Sequence, residues 1–566
     1  MDETDKEVDD SIHSNILYYE NRELELLKNA MNIEAKKRGE RIAQNPIMKQ
    51  IINVLEKFIR DKKLVCYGGT AINNILPESE QFYKRNLEIP DYDFFSSNAI
   101  NDAKELADIY FRQGFSDVEA KAGVHYGTYK VFVNFFQIAD ITQLDSKLFS
   151  SLKKNALLKD GMLYSPPNFL RMAMYLELSR PGGDITRWEK VFKRLNILNR
   201  HYPLKATNCD PETFKHSLSA RSYNKQFQNE KEKIQTIIKN IASKEKLVFI
   251  GGYANILYSR YLHNNERAYL EEIPDFDLLS NTPDKTAKAI KESLEKQDIR
   301  NITIETKAAI PDYLSTHFEV RVGSQPVAYV YKPLACHSYN SIKVKGKIFR
   351  VATIDTMMSF YLLFLYADRP YYNPRRTLCL CDYLFKIQQK NRLKQTGLLR
   401  RFSITCYGKQ KTIEDIRNEK AKQYKRLKTK KKSKEYNRWF LRYNPELNPE
   451  NKPFIVQSKT REDIINEAKL ALEAKILTSK AVIEGIDDIQ KIDKLKKNNI
   501  VPTPSPMSPV RSMSSTINHV NRVKTNKLNN RKNISARLSI RSPKTRKNKQ
   551  VENLLFVEDN FTPSNM

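Results

Sequence analysis

No apolar run in this chain approaches the ~20 residues that a membrane-spanning helix needs. The longest, near Met357 to Tyr366, is expected to be a core helix. Acids are in short supply: 66 Asp and Glu stand against 97 Lys and Arg, a net charge of +31. That imbalance calls for an acidic partner, with nucleic acid ahead of a membrane surface. Cysteine is sparse as well. Cys66, Cys209, Cys336, Cys379, Cys381 and Cys406 are scattered, as expected of free thiols in a reducing compartment. Cys379-x-Cys381 has His337 upstream but no second close pair, so a zinc site is not expected. Residues 1–15 are acidic and polar, so no secretory signal is expected.

Length leaves room for several units. A chain of 566 residues allows about three or four domains. Its 40% hydrophobic content suffices for real cores, although mean hydropathy is only −0.61.

The informative stretch is Tyr67-Gly68-Gly69-Thr70, followed by Ile89-Pro90-Asp91-Tyr92-Asp93. Leu64 to Tyr67 reads as a buried strand running into a Gly-Gly turn, and Ala71 to Leu76 as a helix stopped by Pro77. A turn that opens a helix leaves backbone N–H groups free for phosphate. Gly68 and Gly69 let the backbone approach a triphosphate, and Thr70 adds a hydroxyl. Asp91 and Asp93 point to one face of a strand, about 7 Å apart. All-oxygen donors suit magnesium better than zinc.

A third acid, Asp140, lies in the β-rich stretch Tyr129 to Ile141, among Ile138, Ala139 and Ile141. Burying it unpaired is costly, and a metal shared with Asp91 and Asp93 removes that cost. The plainer reading is a strand-end cap or a lysine pair.

The pattern then repeats. Leu247 to Leu257 contains Gly251-Gly252-Tyr253, and Ile273-Pro274-Asp275-Phe276-Asp277 follows at nearly the same separation. Arg369-Pro370 follows Tyr329 at the distance at which Arg180-Pro181 follows Asp140. A duplicated domain is implied, with Tyr329 at the place of Asp140 and Tyr253 at the place of Thr70. The second copy is therefore expected to be catalytically silent. Tyr329 cannot supply the missing charge, and the Tyr253 ring is expected to block the turn. Asp275 and Asp277 are then left to satisfy the turn backbone or basic neighbours. Because Arg369 repeats Arg180, both are expected in salt bridges between helices.

The Gly-Gly-Thr turn, the Asp-x-Asp strand and the later single Asp resemble the polymerase β-like nucleotidyltransferase superfamily. The duplication, the repeated Ile-Pro-Asp-x-Asp and the basic C-terminal region are similar to the viral poly(A) polymerase catalytic subunit of large DNA viruses, in its giant-virus form. The resemblance covers roughly residues 50–390. It implies an α+β fold with two tandem nucleotidyltransferase-like modules. It also implies transfer of AMP from ATP to an RNA 3′ end, dependent on Mg2+ or Mn2+ held by Asp91, Asp93 and Asp140. Gly68, Gly69 and Thr70 would bind the nucleotide. A homodimer in the cytoplasm of an infected cell is further implied. Two alternatives stay open. One is another terminal nucleotidyltransferase (CCA-adding, uridylyl- or oligoadenylate-forming), and the other is a non-catalytic RNA-binding scaffold.

The expected layout is a helical N-terminal segment (1–60, with 1–10 disordered), a catalytic module (61–200), a degenerate module (226–390), a basic helical region (391–499) and a disordered basic tail (500–566). In the basic region, Lys420 to Arg442 interleaves Tyr424, Tyr436, Trp439, Phe440 and Tyr443. Those aromatics either stack on unpaired bases or pack on the body. A further helix is expected from Thr460.

Overall fold

The computed structural model describes residues 3–451, except 86, 88, 208, 211–212, 214–224 and 268–274, together with 465 and 469. The tail at 500–566, most of the helix from Thr460 and most of the 201–225 connection lie outside the described residues. Among the described residues no helix is long and apolar enough to cross a membrane.

Two helices lead in. α1 (Glu3–Gln44) already runs through residues expected to be disordered. The sequence concentrates acids at its start, which favours a helix N-terminus. It does not brace the sheet: Leu24, Leu27 and Met31 are exposed, and burial begins at Ile42. α2 (Pro46–Lys62) does the bracing. Asn45 caps it by accepting from the Ile47 N–H at 2.9 Å, with proline in the first turn. Met48, Ile51, Leu55, Phe58 and Ile59 make its buried stripe.

The first module contains β1 (Val65–Tyr67), β2 (Tyr92–Ser96), β3 (Glu119–Ala122), β4 (Thr128–Val133), β5 (Phe136–Gln143), β6 (Leu157–Lys159) and β7 (Met162–Tyr164). Its helices are α3 (Gly68–Ile75), α4 (Ala99–Arg112), α5 (Ser146–Asn155), α6 (Pro167–Leu178) and α7 (Trp188–His201). β4 and β5 form a hairpin whose turn residues, Asn134 and Phe135, both have positive φ. α8 (Lys225–Lys244) opens the second module. It continues with β8 (Val248–Ile250), β9 (Phe276–Leu279), β10 (Ile302–Lys307), β11 (His317–Val322), β12 (Gln325–Tyr331), β13 (His337–Val344) and β14 (Lys347–Ala352). Its main helices are α9 (Gly251–Ser259), α10 (Pro283–Glu295), α11 (Ile354–Phe364) and α12 (Pro374–Lys390).

The duplication is visible in the sheets. The first has the order β16-β3-β4-β5-β2-β1-β7-β6 and the second β10-β11-β12-β9-β8-β14-β13-β15. Apart from the two late strands, β15 (Cys406–Tyr407) and β16 (Arg442–Tyr443), the orders superimpose strand for strand. Residues 391–451 thus add one strand to each sheet. α13 (Ile413–Leu427) and α14 (Lys434–Phe440) connect those two strands.

Equivalent helices, α6 and α11, pack against each other and join the modules. The Ser338 N–H donates to the Ser179 carbonyl across that seam at 2.8 Å. Buried apolar residues form one cluster through both modules.

Two expectations fail here. Arg180 makes no ion pair among the described residues; its neighbour Glu177 pairs with Arg187 instead, and Arg180 Nε has no partner. Burial pushes the Arg180 guanidinium down to about 10. Arg369 donates to the carbonyls of Ala308 and Ala309 rather than to an acid. The cysteines differ as well. Cys209 pairs with Cys379, and Cys336 with Cys406, while Cys66 and Cys381 are free and buried. Partners 170 and 70 positions apart carry no local spacing signal. Cys379 is therefore no zinc ligand.

Candidate active site

The site is assembled by strand pairing. β2 and β5 run parallel with Asp93 beside Asp140, and β1 places Tyr67 beside Asp93 on the other side. β1 then breaks into α3 at Gly68. Gly68 has φ +73°, and a Cβ there would sit 2.4 Å from Asp93 Oδ2. Only glycine permits both the backbone and that approach. The Thr70 hydroxyl donates to the Asp91 carbonyl at 2.5 Å and is buried. Its place is thus beneath Asp91, where it fixes the start of β2.

The acids are strained electrostatically. Asp93 is 3% exposed, and its Oδ1 accepts no hydrogen bond. Burial, then the charges of Asp91 and Asp140, holds its carboxyl well above the usual range; Lys130 and Arg187 pull it back. Asp91 opens to solvent, yet the surrounding protein raises its carboxyl too, against Lys130 and Lys190. Asp140 is held by side chains. Gln137 Nε2 donates to its Oδ1 at 2.9 Å, and Lys130 Nζ lies 3.5 Å from its Oδ2. The plainer reading of Asp140, a lysine pair, is thus what the structure contains. Among the described residues no three His, Cys, Asp or Glu side chains are gathered around a common point.

The donor set still fits a hard divalent cation. Every donor is oxygen, and Asp93 Oδ1 is buried without a partner.

Several residues here escaped the sequence reading. Lys130, 2% exposed, sits opposite Asp140 on β4. Arg187, Lys190 and Arg194 recur at helical spacing through the start of α7, and that spacing was the available signal. The apolar face of Trp188, Val191, Phe192 and Leu195 drew attention away from it. An Arg194 Nη lies 2.8 Å from where a Gly69 Cβ would be, and its guanidinium packs over the Phe82 and Tyr83 rings. Burial, then Arg194 and Arg187, lowers the Lys190 ammonium from its usual value. A basic stripe therefore borders the Gly-Gly turn.

The second module keeps the frame and loses the opening. Tyr329 lies beside Asp277, as Asp140 lies beside Asp93. Opposite Tyr329 stands Glu319, at the place of Lys130. The Tyr329 hydroxyl donates to Glu319 Oε1 at 3.1 Å, and Lys307 and Arg321 neutralise that acid. Tyr253 does not block the turn. Its ring points into the core with Phe249, Phe276 and Phe349. Asp277 itself fills the turn: its Oδ2 accepts from the Gly252 N–H at 3.4 Å and lies where a Gly251 Cβ would be. Burial, then Asp275, pushes the Asp277 carboxyl up to about 8.

Residues 53–184 match the poly(A) polymerase catalytic subunit family. That segment holds the Gly-Gly turn and all three acids. Over 160 residues the chain is 33% identical to a protein described as a poly(A) polymerase catalytic subunit of Acanthamoeba polyphaga mimivirus, covering 27% of this chain and 26% of the relative. Over 159 residues it is 30% identical to the African swine fever virus (isolate Pig/Kenya/KEN-50/1950) protein of the same description, covering 27% and 33%. The match thus spans about a quarter to a third of the length of these relatives. In overall fold the chain is similar to the crystal structure of the Megavirus polyadenylate synthase, with a TM-score of 0.63 and 20% identity over 79% of this chain and 89% of that one. The chain therefore shares the fold of that structure, with two mixed sheets and helices packed on them.

Proposed function

We propose that the chain is a template-independent poly(A) polymerase that transfers AMP from ATP to RNA 3′ ends. The observation that carries this reading is the pairing of Asp93 with Asp140 beside the Gly68 turn, inside the matched segment. Asp91 and Asp93, joined by Asp140, would hold Mg2+ or Mn2+. Such ions supply activation of the 3′-hydroxyl and neutralise the leaving pyrophosphate. Thr70 fixes Asp91 through its carbonyl. The backbone around Gly68 and Gly69 receives the phosphates, and Arg187, Lys190 and Arg194 stabilise the charge that develops on them. Lys130 balances the acids and keeps Asp140 in place. No side-chain nucleophile is required.

Self-association belongs to the same proposal. The exposed Leu24, Leu27 and Met31 of α1 form a face with no partner among the described residues. Glu20 and Glu23 precede it, and Lys36, Lys37 and Arg38 follow. Antiparallel pairing with a second copy would set acids against bases. We further propose action in the cytoplasm of an infected cell. Primer extension with each NTP supplied singly, with and without Mg2+ or Mn2+, tests the activity; no metal-dependent AMP incorporation would reject it. Light scattering that gives only the 66.1 kDa monomer would reject the dimer.

A further inference from the structure

The row of paired residues does not stop at Asp140. Lys130 stands opposite Asp140, Lys121 opposite Lys130, and Arg442 opposite Lys121. Directly opposed residues share one face of a sheet. Neighbouring strands lie about 4.8 Å apart, so three spacings carry positive charge about 14 Å away from the acids. The outer two positions are accessible. Arg442 is exposed, and the Lys121 side chain is 22% exposed, with its nearest acid, Glu119, 3.8 Å away. Lys121 Nζ lies 4.0 Å from the centre of the partly exposed Phe132 ring.

Beyond Arg442 the charge continues. α14 leads into β16 and packs on α13, whose Lys420 donates to the Gly123 carbonyl at 2.7 Å. Lys422 and Lys425 on α13 are exposed and have no acidic partner among the described residues. The aromatics of this region are spent on attachment. Tyr424 and Tyr436 pack on Phe440, Trp439 on Tyr126, and the Tyr443 hydroxyl donates to Asp108. Trp439 and Tyr443 thus fasten the region to the module, while Lys422 and Lys425 stay exposed.

We infer that single-stranded RNA runs from the acids along this row. Lys121 and Arg442 take phosphates, Phe132 offers its face to a base, and Lys422 and Lys425 take phosphates further back. The occupant is a single strand because its 3′ end must reach Asp93 and Asp140. This path rests on the nucleotidyl-transfer reading only for which end of the strand lies at the acids.

The test uses the full chain and a labelled oligoadenylate without ATP, titrated across a salt series. In Lys121→Gln/Arg442→Gln the slope of log affinity against log salt should shrink by about 1.4, the value for two single-strand phosphate contacts. The KM for primer RNA should rise by a larger factor than the KM for ATP. Lys422→Gln/Lys425→Gln, placed on an exposed helix face, should lose a similar slope and serves if the first pair fails to fold. An unchanged slope in either folded variant overturns the path. A reduced slope in a protein that incorporates no nucleotide keeps the path and removes the transfer reading. Full incorporation with an unchanged slope does the reverse.

Discussion

The two modules share one frame, and the cross-strand pair beside the Asp-x-Asp strand reverses its electrostatics between them. In the first, a buried lysine faces a buried aspartate, Lys130 against Asp140. In the second, a buried glutamate faces a tyrosine, Glu319 against Tyr329, and Lys307 with Arg321 closes off the glutamate. The first arrangement leaves Asp93 Oδ1 with no protein partner. In the second, Asp277 Oδ1 receives the Tyr331 hydroxyl at 3.4 Å while Oδ2 receives a backbone amide. A site that keeps an unpartnered acid can take up a cation. A site whose acids are all answered by the protein leaves no such donor open. Retaining Asp-x-Asp and Gly-Gly is therefore compatible with either fate, and the strand next door decides.

The sharpest way to break this comparison is to remove equivalent acids. Asp93→Asn or Asp140→Asn should lower extension by ~10²–10³-fold or more, that range being the order seen when one stabilising group of a catalytic site is lost. Asp275→Ala with Asp277→Ala should leave the extension rate within a few-fold, provided melting temperatures stay close to wild type. Equal losses would mean that the modules share the chemistry. Next in size is Lys130→Met. It takes the cation from buried Asp140, which keeps the Gln137 amide, and breaking one side of a buried pair costs about 3–5 kcal/mol, measurable by urea denaturation. Tyr329→Phe is the mirror test. It removes one hydrogen bond from an acid that keeps two cations, so about 1 kcal/mol is expected.

Burial raises a carboxyl in each module, Asp93 in the first and Asp277 in the second, so a pH response is expected of both. A carboxyl raised to about 8 when folded and near 4 when unfolded binds more protons in the folded state between those values. Asp277 therefore withdraws stability as pH rises from about 4 to 8. Asp277→Asn should flatten that fall in melting temperature. A variant whose melting temperature still drops as steeply as wild type would show that Asp277 is not the group responsible.

Much of this was legible in the sequence. The Gly-Gly turns, the Asp-x-Asp strands and the even spacing to Arg180 and Arg369 were enough to align the copies, and the sheets reproduce that alignment residue by residue. Asp93 beside Asp140 and Tyr329 beside Asp277 are its direct result. What stayed hidden depended on neighbours across strands. Nothing local marks Lys130 or Glu319 as partners, because β4 and β11 meet their counterparts only through hairpin register. Side-chain direction was hidden too: Tyr253 follows the glycines as Thr70 does in part, yet its ring goes to the core. Of the basic-region aromatics, Trp439 packs on Tyr126 of the body, whereas Tyr424 packs on Phe440 within its own region. α1 shows the opposite failure, with apolar spacing that no partner among the described residues covers.

The strand Arg442–Tyr443 bears on synthesis. It is the outer neighbour of β3, so the first sheet has an open flank until residue 443 has left the ribosome. At ordinary elongation rates of roughly 5–20 residues per second, the wait after β3 emerges is on the order of half a minute. Unpaired strand edges recruit other chains. The module made first is thus finished last, and a message truncated ahead of this strand would release a protein with a sticky edge.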